Sequence, residues 1–407
     1  MLLCVHNNEK EAFYMKNTVK ILALMLSVLL ILCGCGTAVE QETAVPAATQ
    51  EAPTSEVRIT FMGCGDNITY EGNLAQAKGN APDGRTYNFK PTYDNVISKI
   101  QNADIAFINQ ETVMAGEGYP ISCYPTFNSP QDLGYDVVEL GYDVVNIATN
   151  HMLDMGTSGF AKTIEFWKNQ DVLMIGGYEN QQDFENIRIY EEQGVKIAFL
   201  SFNYGTNGIP LSASSDIKIP YIDDEDIISQ IKSAKEKADM VIVSMHWGDE
   251  GAFKPNDEQK RVAQLIADYG ADAIIGHHPH VIEPVEWLTG KDGNKTLCVY
   301  SLGNFVAEQA YDYNALGGII EFEIVKKGDE KAHIENPVFT PTVCHFEAGL
   351  KNNKVYYLHD YTAELANKHA VSTYYGHTIS LERLVKYATD TIDKEFLAKE
   401  FADKYCK

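Results

Sequence analysis

Usable cysteine pairs, positive charge and long apolar runs are all scarce in this sequence. Among its eight cysteines, Cys4, Cys33 and Cys35 sit near the N-terminus. Cys64, Cys123, Cys298, Cys344 and Cys406 are scattered, and five is an odd number. No C-x-x-C pair occurs in the globular part, which excludes a zinc ribbon, and the spacing gives no disulfide framework. Only 33 basic residues stand against 57 acidic ones, for a formal charge of −24. That balance argues against nucleic acid as a partner, because phosphate backbones are bound by clustered Lys and Arg. The apolar run at residues 21–32, interrupted by Ser27 alone, is twelve residues long, whereas a membrane-spanning helix needs about 20. There is no internal repeat.

The short run instead has the length of a secretory signal core, with Lys16 and Lys20 as its positive flank. It ends in Leu32-Cys33-Gly34-Cys35-Gly36, which resembles a bacterial lipobox with Cys35 as the lipid-modified residue. An uncleaved anchor helix is the alternative. Residues 1–35 are therefore expected to be a signal peptide with lipobox. Residues 36–56, rich in Ala, Thr, Glu, Gln and Pro and without Lys or Arg, are expected to be a flexible tether. The protein would then be extracytoplasmic and held at the cell membrane by its lipid.

From residue 57 apolar β-type runs alternate with helical patterns. Strands are expected at 57–62, 104–109, 143–148, 195–202, 240–245, 271–275, 296–301 and 318–326. Helices are expected at 93–101, 158–169, 227–237 and 258–269, and a tight loop at Gly63-Cys64-Gly65-Asp66. This is an α/β pattern with mixed sheets. The domain is expected to span 57–346, and 347–407 to be a small helical extension with an amphipathic helix at 380–390.

The polar residues fall in a regular place. Asp66, Asn109 and Glu111, Asn150 and His151, His246, and His278 and His280 each follow an apolar strand directly. The carboxyl ends of strands in α/β folds converge on one crevice, where ligands bind. Taken singly, these residues read as turns, caps or satisfied core histidines. His278-Pro279-His280 carries more weight, because residues two apart on extended chain face the same side, and neutral imidazole is a common metal ligand. Nitrogen and oxygen donors without thiolate suit manganese, zinc or iron. His277 reads as a neighbour of this cluster.

Six ordered motifs carry a resemblance: Gly65-Asp66; Asn109-Gln110-Glu111-Thr112; Ala148-Thr149-Asn150-His151 with Asp154-Met155-Gly156; His246-Trp247-Gly248 with Glu250; Gly276 with His278-Pro279-His280; and Ser301-Leu302-Gly303-Asn304-Phe305. The chain resembles the bacterial capsule synthesis protein CapA family, which includes the PgsA-type component of poly-γ-glutamate synthesis. The likeness runs from about residue 57 to 346. That family in turn resembles the calcineurin-like metallophosphoesterases, which implies a four-layer αββα sandwich and one or two divalent metal ions (Mn, Zn or Fe). It implies Asp66 as ligand of a first metal with His280, His246 and His278 as ligands of a second, Asn150 as a further ligand, and Glu111 as the bridging carboxylate. His151 would protonate or steady the leaving oxygen. Asp154 would orient His151 or cap the following helix. Asn109, Glu250 and Asn304 would contact substrate or support the ligands. Two departures stand out: Asp66-Asn67-Ile68 lacks the His of an Asp-x-His motif, and Glu111 replaces the bridging Asp. The resemblance implies either a metal-dependent hydrolase of phosphoester type or a non-catalytic polymer-binding or export scaffold in a capsule polymer synthase complex. A third possibility is a domain whose ligands only stabilise the fold.

Overall fold

The computed structural model describes residues 56–349 and 351–406. The expected signal peptide, Cys35 and the tether as far as residue 55 lie outside them. No helix among the described residues is long and apolar enough to cross a membrane. The strands in chain order are β1 (Glu56–Asn67), β2 (Ile105–Gln110), β3 (Val144–Asn146), β4 (Leu173–Ile175), β5 (Arg188–Glu192), β6 (Val195–Asn203) and β7 (Met240–His246). They continue with β8 (Ala273–His277), β9 (Val285–Thr289), β10 (Lys295–Val299), β11 (Asn304–Val306), β12 (Leu316–Lys327), β13 (His333–Glu347) and β14 (Lys351–Tyr357). One sheet has the order β14-β13-β12-β1-β2-β3-β4, with β11 also pairing β1, and the other has the order β5-β6-β7-β8-β10-β9. Both are mixed. β1 to β4 run parallel, as do β6, β7, β8 and β10, and antiparallel strands are added at the flanks.

Period-two alternation explains the layering. Along β1, Ile59 and Phe61 enter the inter-sheet core, while Met62 and Cys64 join the core beneath the helices on the other face. Along β2, Ile105 and Phe107 face inward and Ala106 and Ile108 outward. Both faces are buried, so these strands read as nearly continuous apolar runs rather than as alternating ones. The second sheet supplies Ile197, Phe199, Ile242, Ile275 and Leu297 to the shared core. Phe160, Ile164 and Trp167 of the helix Gly156–Lys168 cover the outside of the first sheet. Ile227 and Ile231 of Asp224–Lys235, with Val262 and Ile266 of Asp257–Asp268, cover the second. The architecture is a four-layer αββα sandwich. Each fully buried Ile, Leu or Phe contributes about 1.5–3 kcal/mol relative to exposure, so the inter-sheet core is the main source of stability.

Two expectations change. Gly63-Cys64-Gly65-Asp66 is the end of β1 and not a loop: Gly63 and Cys64 pair with Ile320 and Ile319 of β12 and with Phe107 and Ile108 of β2. The glycine at 65 permits a close approach, since a Cβ there would lie 2.0 Å from the Gly303 carbonyl oxygen. The chain beyond 346 opens with β14, which pairs with β13, before the helices Ala363–Lys368, Ala370–Thr373, Leu381–Thr391 and Lys399–Tyr405. Phe396, Leu397 and Phe401 from this segment enter the same core as β1 and β8, which ties it to the sandwich.

Candidate metal centre

Five carboxyl ends of parallel strands meet at one edge of the sandwich. β1 carries Asp66 one residue before its end, β2 carries Asn109 and leads to Glu111, and β3 leads to Asn150 and His151. β7 ends at His246, and β8 leads through His277 to His278 and His280. β11 lies parallel to β1 and sets Asn304 opposite Asp66. His278 and His280 have φ of 98° and 55°, a region that non-glycine residues rarely occupy. Such strain persists only where surrounding packing holds it, and it concentrates at functional sites.

Asp66 is the hub. Its Oδ1 accepts a hydrogen bond from Asn109 Nδ2 at 2.8 Å, and its Oδ2 lies 3.0 Å from His280 Nδ1. Asn109 Oδ1 accepts in turn from Asn146 Nδ2 at 2.7 Å, and Asn146 Oδ1 from Ser201 Oγ at 2.5 Å. This amide chain links three strands of the first sheet to β6 of the second and holds Asp66 in place. Asn304 Oδ1 lies 3.1 Å from the same His280 nitrogen. With Nδ1–H donated to these oxygens, Nε2 of His280 faces Glu111, whose Oε1 is 3.6 Å away.

Glu111 is fully buried, and neither of its carboxylate oxygens has a hydrogen-bond partner. Nδ1 of His246, Nδ1 of His278 and both ring nitrogens of His277 are likewise buried without one. Buried polar atoms are otherwise almost always paired. Two overlapping donor groups could each hold a metal ion: Asp66, Glu111 and His246, and Glu111, His278 and His280. Within each group the donor atoms lie within 4.8 Å of one another. Orphaned nitrogen and oxygen donors without thiolate fit divalent Mn, Zn or Fe. Glu111 belongs to both groups. The grouping sets His280 with His278 and Asp66 with His246, where the resemblance implies Asp66 with His280 and His246 with His278. Asn150 meets this centre through its Oδ1, which accepts from His246 Nε2 at 2.9 Å.

The electrostatics follow from burial and crowding. Burial pushes the Glu111 carboxyl well above the ordinary range, and neighbouring Asp66 adds to the effect. Burial would also raise Asp66, but His277 and His280 outweigh it and hold that carboxyl low. Burial, and then the other imidazoles, depress His246, and His278 is held down to about 3. Burial lowers His280 too, but Glu111 and Asp66 together lift it to about 9.

His151 stands at the margin of the cluster. Its Nδ1 is 2.7 Å from Asp154 Oδ2, which also accepts from the Phe127 backbone N–H at 2.6 Å. The following helix starts at Gly156 and has no side-chain cap, so Asp154 orients the imidazole and does not cap. Ile68, where an Asp-x-His motif has histidine, packs with Phe127 and Ala307 in an apolar patch. Glu250 is exposed and lines a cavity together with His280.

Several residues with no motif of their own join the site. His277, read as a neighbour, stacks on Phe107 at 5.7 Å and brings Nδ1 within 3.4 Å of Asp66 Oδ1. Tyr204 packs on His278 with ring centroids 4.5 Å apart, and Asn207 Oδ1 accepts from Asn150 at 3.1 Å. A signal for these existed, because Asn203-Tyr204 closes the apolar strand β6 in the same way as the other motifs close theirs.

Residues 60–309 match the family described as Bacterial capsule synthesis protein PGA_cap. The chain belongs to that family. The PGA_cap region takes in every donor residue of this candidate centre, while β12 to β14 and the C-terminal helices follow it. Among relatives, the "PGA biosynthesis protein CapA" of Bacillus subtilis is 36% identical over 186 residues, 45% of this chain and 47% of that protein. The "Capsule biosynthesis protein CapA" of Bacillus anthracis is 33% identical over 196 residues, 47% and 46% of the two chains. The chain thus spans about half the length of the curated relatives it matches. Similar solved structures include the NAD nucleotidase of Haemophilus influenzae (13% identity, TM-score 0.42, covering 82% of this chain and 60% of that one). Another is a 5'-nucleotidase precursor from Thermus thermophilus (12%, TM-score 0.42, covering 70% and 54%).

Proposed function

We propose that this PGA_cap protein is a metal-dependent hydrolase of phosphoester type that serves capsule poly-γ-glutamate biosynthesis, held outside the cytoplasm by a lipid on Cys35. The observation that carries the catalytic half is Glu111: a buried carboxylate with two unpartnered oxygens, shared by two sets of nitrogen and oxygen donors. Asp66, Glu111, His246, His278 and His280, with Asn150 beside them, are the residues that would hold the ions. Divalent ions bound there would polarise a phosphoryl oxygen and acidify a water at neutral pH.

The chain's own residues supply the rest. Asp154 accepts a hydrogen bond from His151 Nδ1–H, fixes the tautomer and leaves Nε2 turned away from that bond. In the imidazolium form, Nε2 can give its proton to a leaving oxygen. Such a proton donor is not needed merely to hold a metal. The capsule half is supported by the names of the relatives, each matched over about half its length.

The non-catalytic scaffold reading has one observation in its favour, the apolar Ile68 in place of a ligand histidine. Metal analysis of the purified chain, combined with turnover of a generic phosphodiester with and without chelator, tests the first reading. Absence of metal and of any chelator effect would overturn it. Restoration of polymer in a deletion strain by His151→Ala would favour the scaffold. Release of the Cys35→Ala protein from the membrane fraction is the expected outcome for the anchor.

A further inference from the structure

A cavity of about 650 Å³ opens beside the metal centre, with His280 among its lining residues. Five tyrosines and three glutamates line it, and none of the lining residues is Lys or Arg. Glu308 is the unusual member. It is only 3% exposed, its Oε2 accepts from the Gly72 N–H at 2.9 Å, and its Oε1 has no hydrogen-bond partner. Glu71 and Glu250 add exposed carboxylates. Tyr311 and Tyr313 stack at 5.2 Å with an interplanar angle of 8°, and the Tyr375 hydroxyl donates to the Glu308 carbonyl oxygen at 3.3 Å. Those three tyrosines lie beyond residue 309, so the part of the chain outside the PGA_cap match completes this wall.

A buried carboxylate oxygen without a partner calls for a cation or a proton donor. Among the described residues, no donor group able to hold a metal includes Glu308. Aromatic faces combined with carboxylates suit an organic cation, through cation–π attraction and charge-assisted hydrogen bonds. A polyanion would meet three carboxylates and no Lys or Arg. We propose that the cavity is a subsite for a primary alkylammonium group, which holds the non-reacting end of a substrate whose other end reaches the metals. The second half rests on the phosphoester reading; the ammonium site does not.

Two experiments separate them. The chelator-treated full chain is titrated calorimetrically with pentylammonium and with pentanol. Pentylammonium should bind at least about fivefold more tightly, and Glu308→Gln should remove most of that preference. Tyr311 is exposed and packs on the rings of Tyr313 and His377 at the surface, so Tyr311→Ala should weaken binding while leaving the core intact. Equal affinity for the two probes, or no response to either substitution, overturns the subsite. With metal-loaded protein, 2-aminoethyl p-nitrophenyl phosphate should then show a lower KM than the ethyl ester, and Glu308→Gln should abolish the difference. If neither ester turns over while pentylammonium still binds selectively, the phosphoester reading fails and the ammonium site stands.

Discussion

Glu111 Oε1 lies 3.6 Å from Nε2 of His280, and no hydrogen bond reaches either oxygen of that carboxylate. In the absence of metal, the pair leaves a buried acid poorly solvated. Replacing Glu111 with Gln removes the ionisable group at nearly constant volume. The chelator-treated variant should be more stable than its parent by about 1–3 kcal/mol, read from urea melts. The same variant should lose bound metal by elemental analysis. A variant that is less stable and keeps its full metal content would show Glu111 to be structural only.

The bond of 2.7 Å between His151 and Asp154 sets a second expectation. His151→Ala should lower phosphodiester turnover by about 10²–10⁴-fold while metal content stays unchanged, because His151 is in neither donor group. Asp154→Asn should lower it less, since the imidazole remains but its tautomer is no longer fixed. Loss of metal in the His151 variant would assign the residue to holding the ion.

His369 offers a test through pH. It is fully buried, its Nε2 donates to the Cys344 carbonyl at 3.0 Å, and its Nδ1 accepts from the Val371 N–H at 3.1 Å. This arrangement needs a neutral ring, and burial pushes the group down to about 3. The unfolded chain takes up the proton near pH 6.5. The stabilisation is therefore full above that value and is lost as pH falls toward 3, at up to about 1.4 kcal/mol per pH unit. His369→Gln should flatten the stability curve between about pH 6 and 4 by close to one proton relative to the parent. Urea melts across that range read it directly, and an unchanged slope would contradict the assignment.

Gly276 tests how tightly the metal edge is built. A Cβ there would lie 1.8 Å from the Tyr300 carbonyl oxygen. Gly276→Ala should destabilise by about 1–3 kcal/mol or more and should disturb His277 and His278, with a fall in bound metal. Gly79→Ala, where a Cβ meets nothing within 4 Å, should be close to neutral in the same melts.

Much of this was legible because parallel strands buried on both faces are written as apolar runs that stop abruptly. Where such a run stops at Asp66, Asn109, His246 or His278, the polar residue marks the carboxyl end of a strand, and those ends share an edge. Sequence misleads where local chemistry has two meanings. Gly63 and Gly65 have the composition of a turn, yet both lie in β1, and Gly65 lets that strand pass close to Gly303. β13, from His333 to Glu347, carries Asn336 and two prolines (Pro337 and Pro341) and has no local signature, so pairing with β12 and β14 makes it a strand.

Residue order and period alone determined the α/β class with mixed sheets, the strand ends that carry donors, and the family motifs, because backbone periodicity and burial are local properties of a chain. Only the tertiary structure decided which atoms meet. Strand order brings β11 beside β1, so that Asn304 and Asp66 share one nitrogen of His280. Side-chain torsion turns Asp154 toward His151 rather than toward the helix. Packing between the sheets leaves Glu111 unpaired between two donor groups. Chain return brings Tyr375 against Glu308, more than sixty residues away. These are non-local distances, set by how the two sheets close on one another, and no window of sequence contains them.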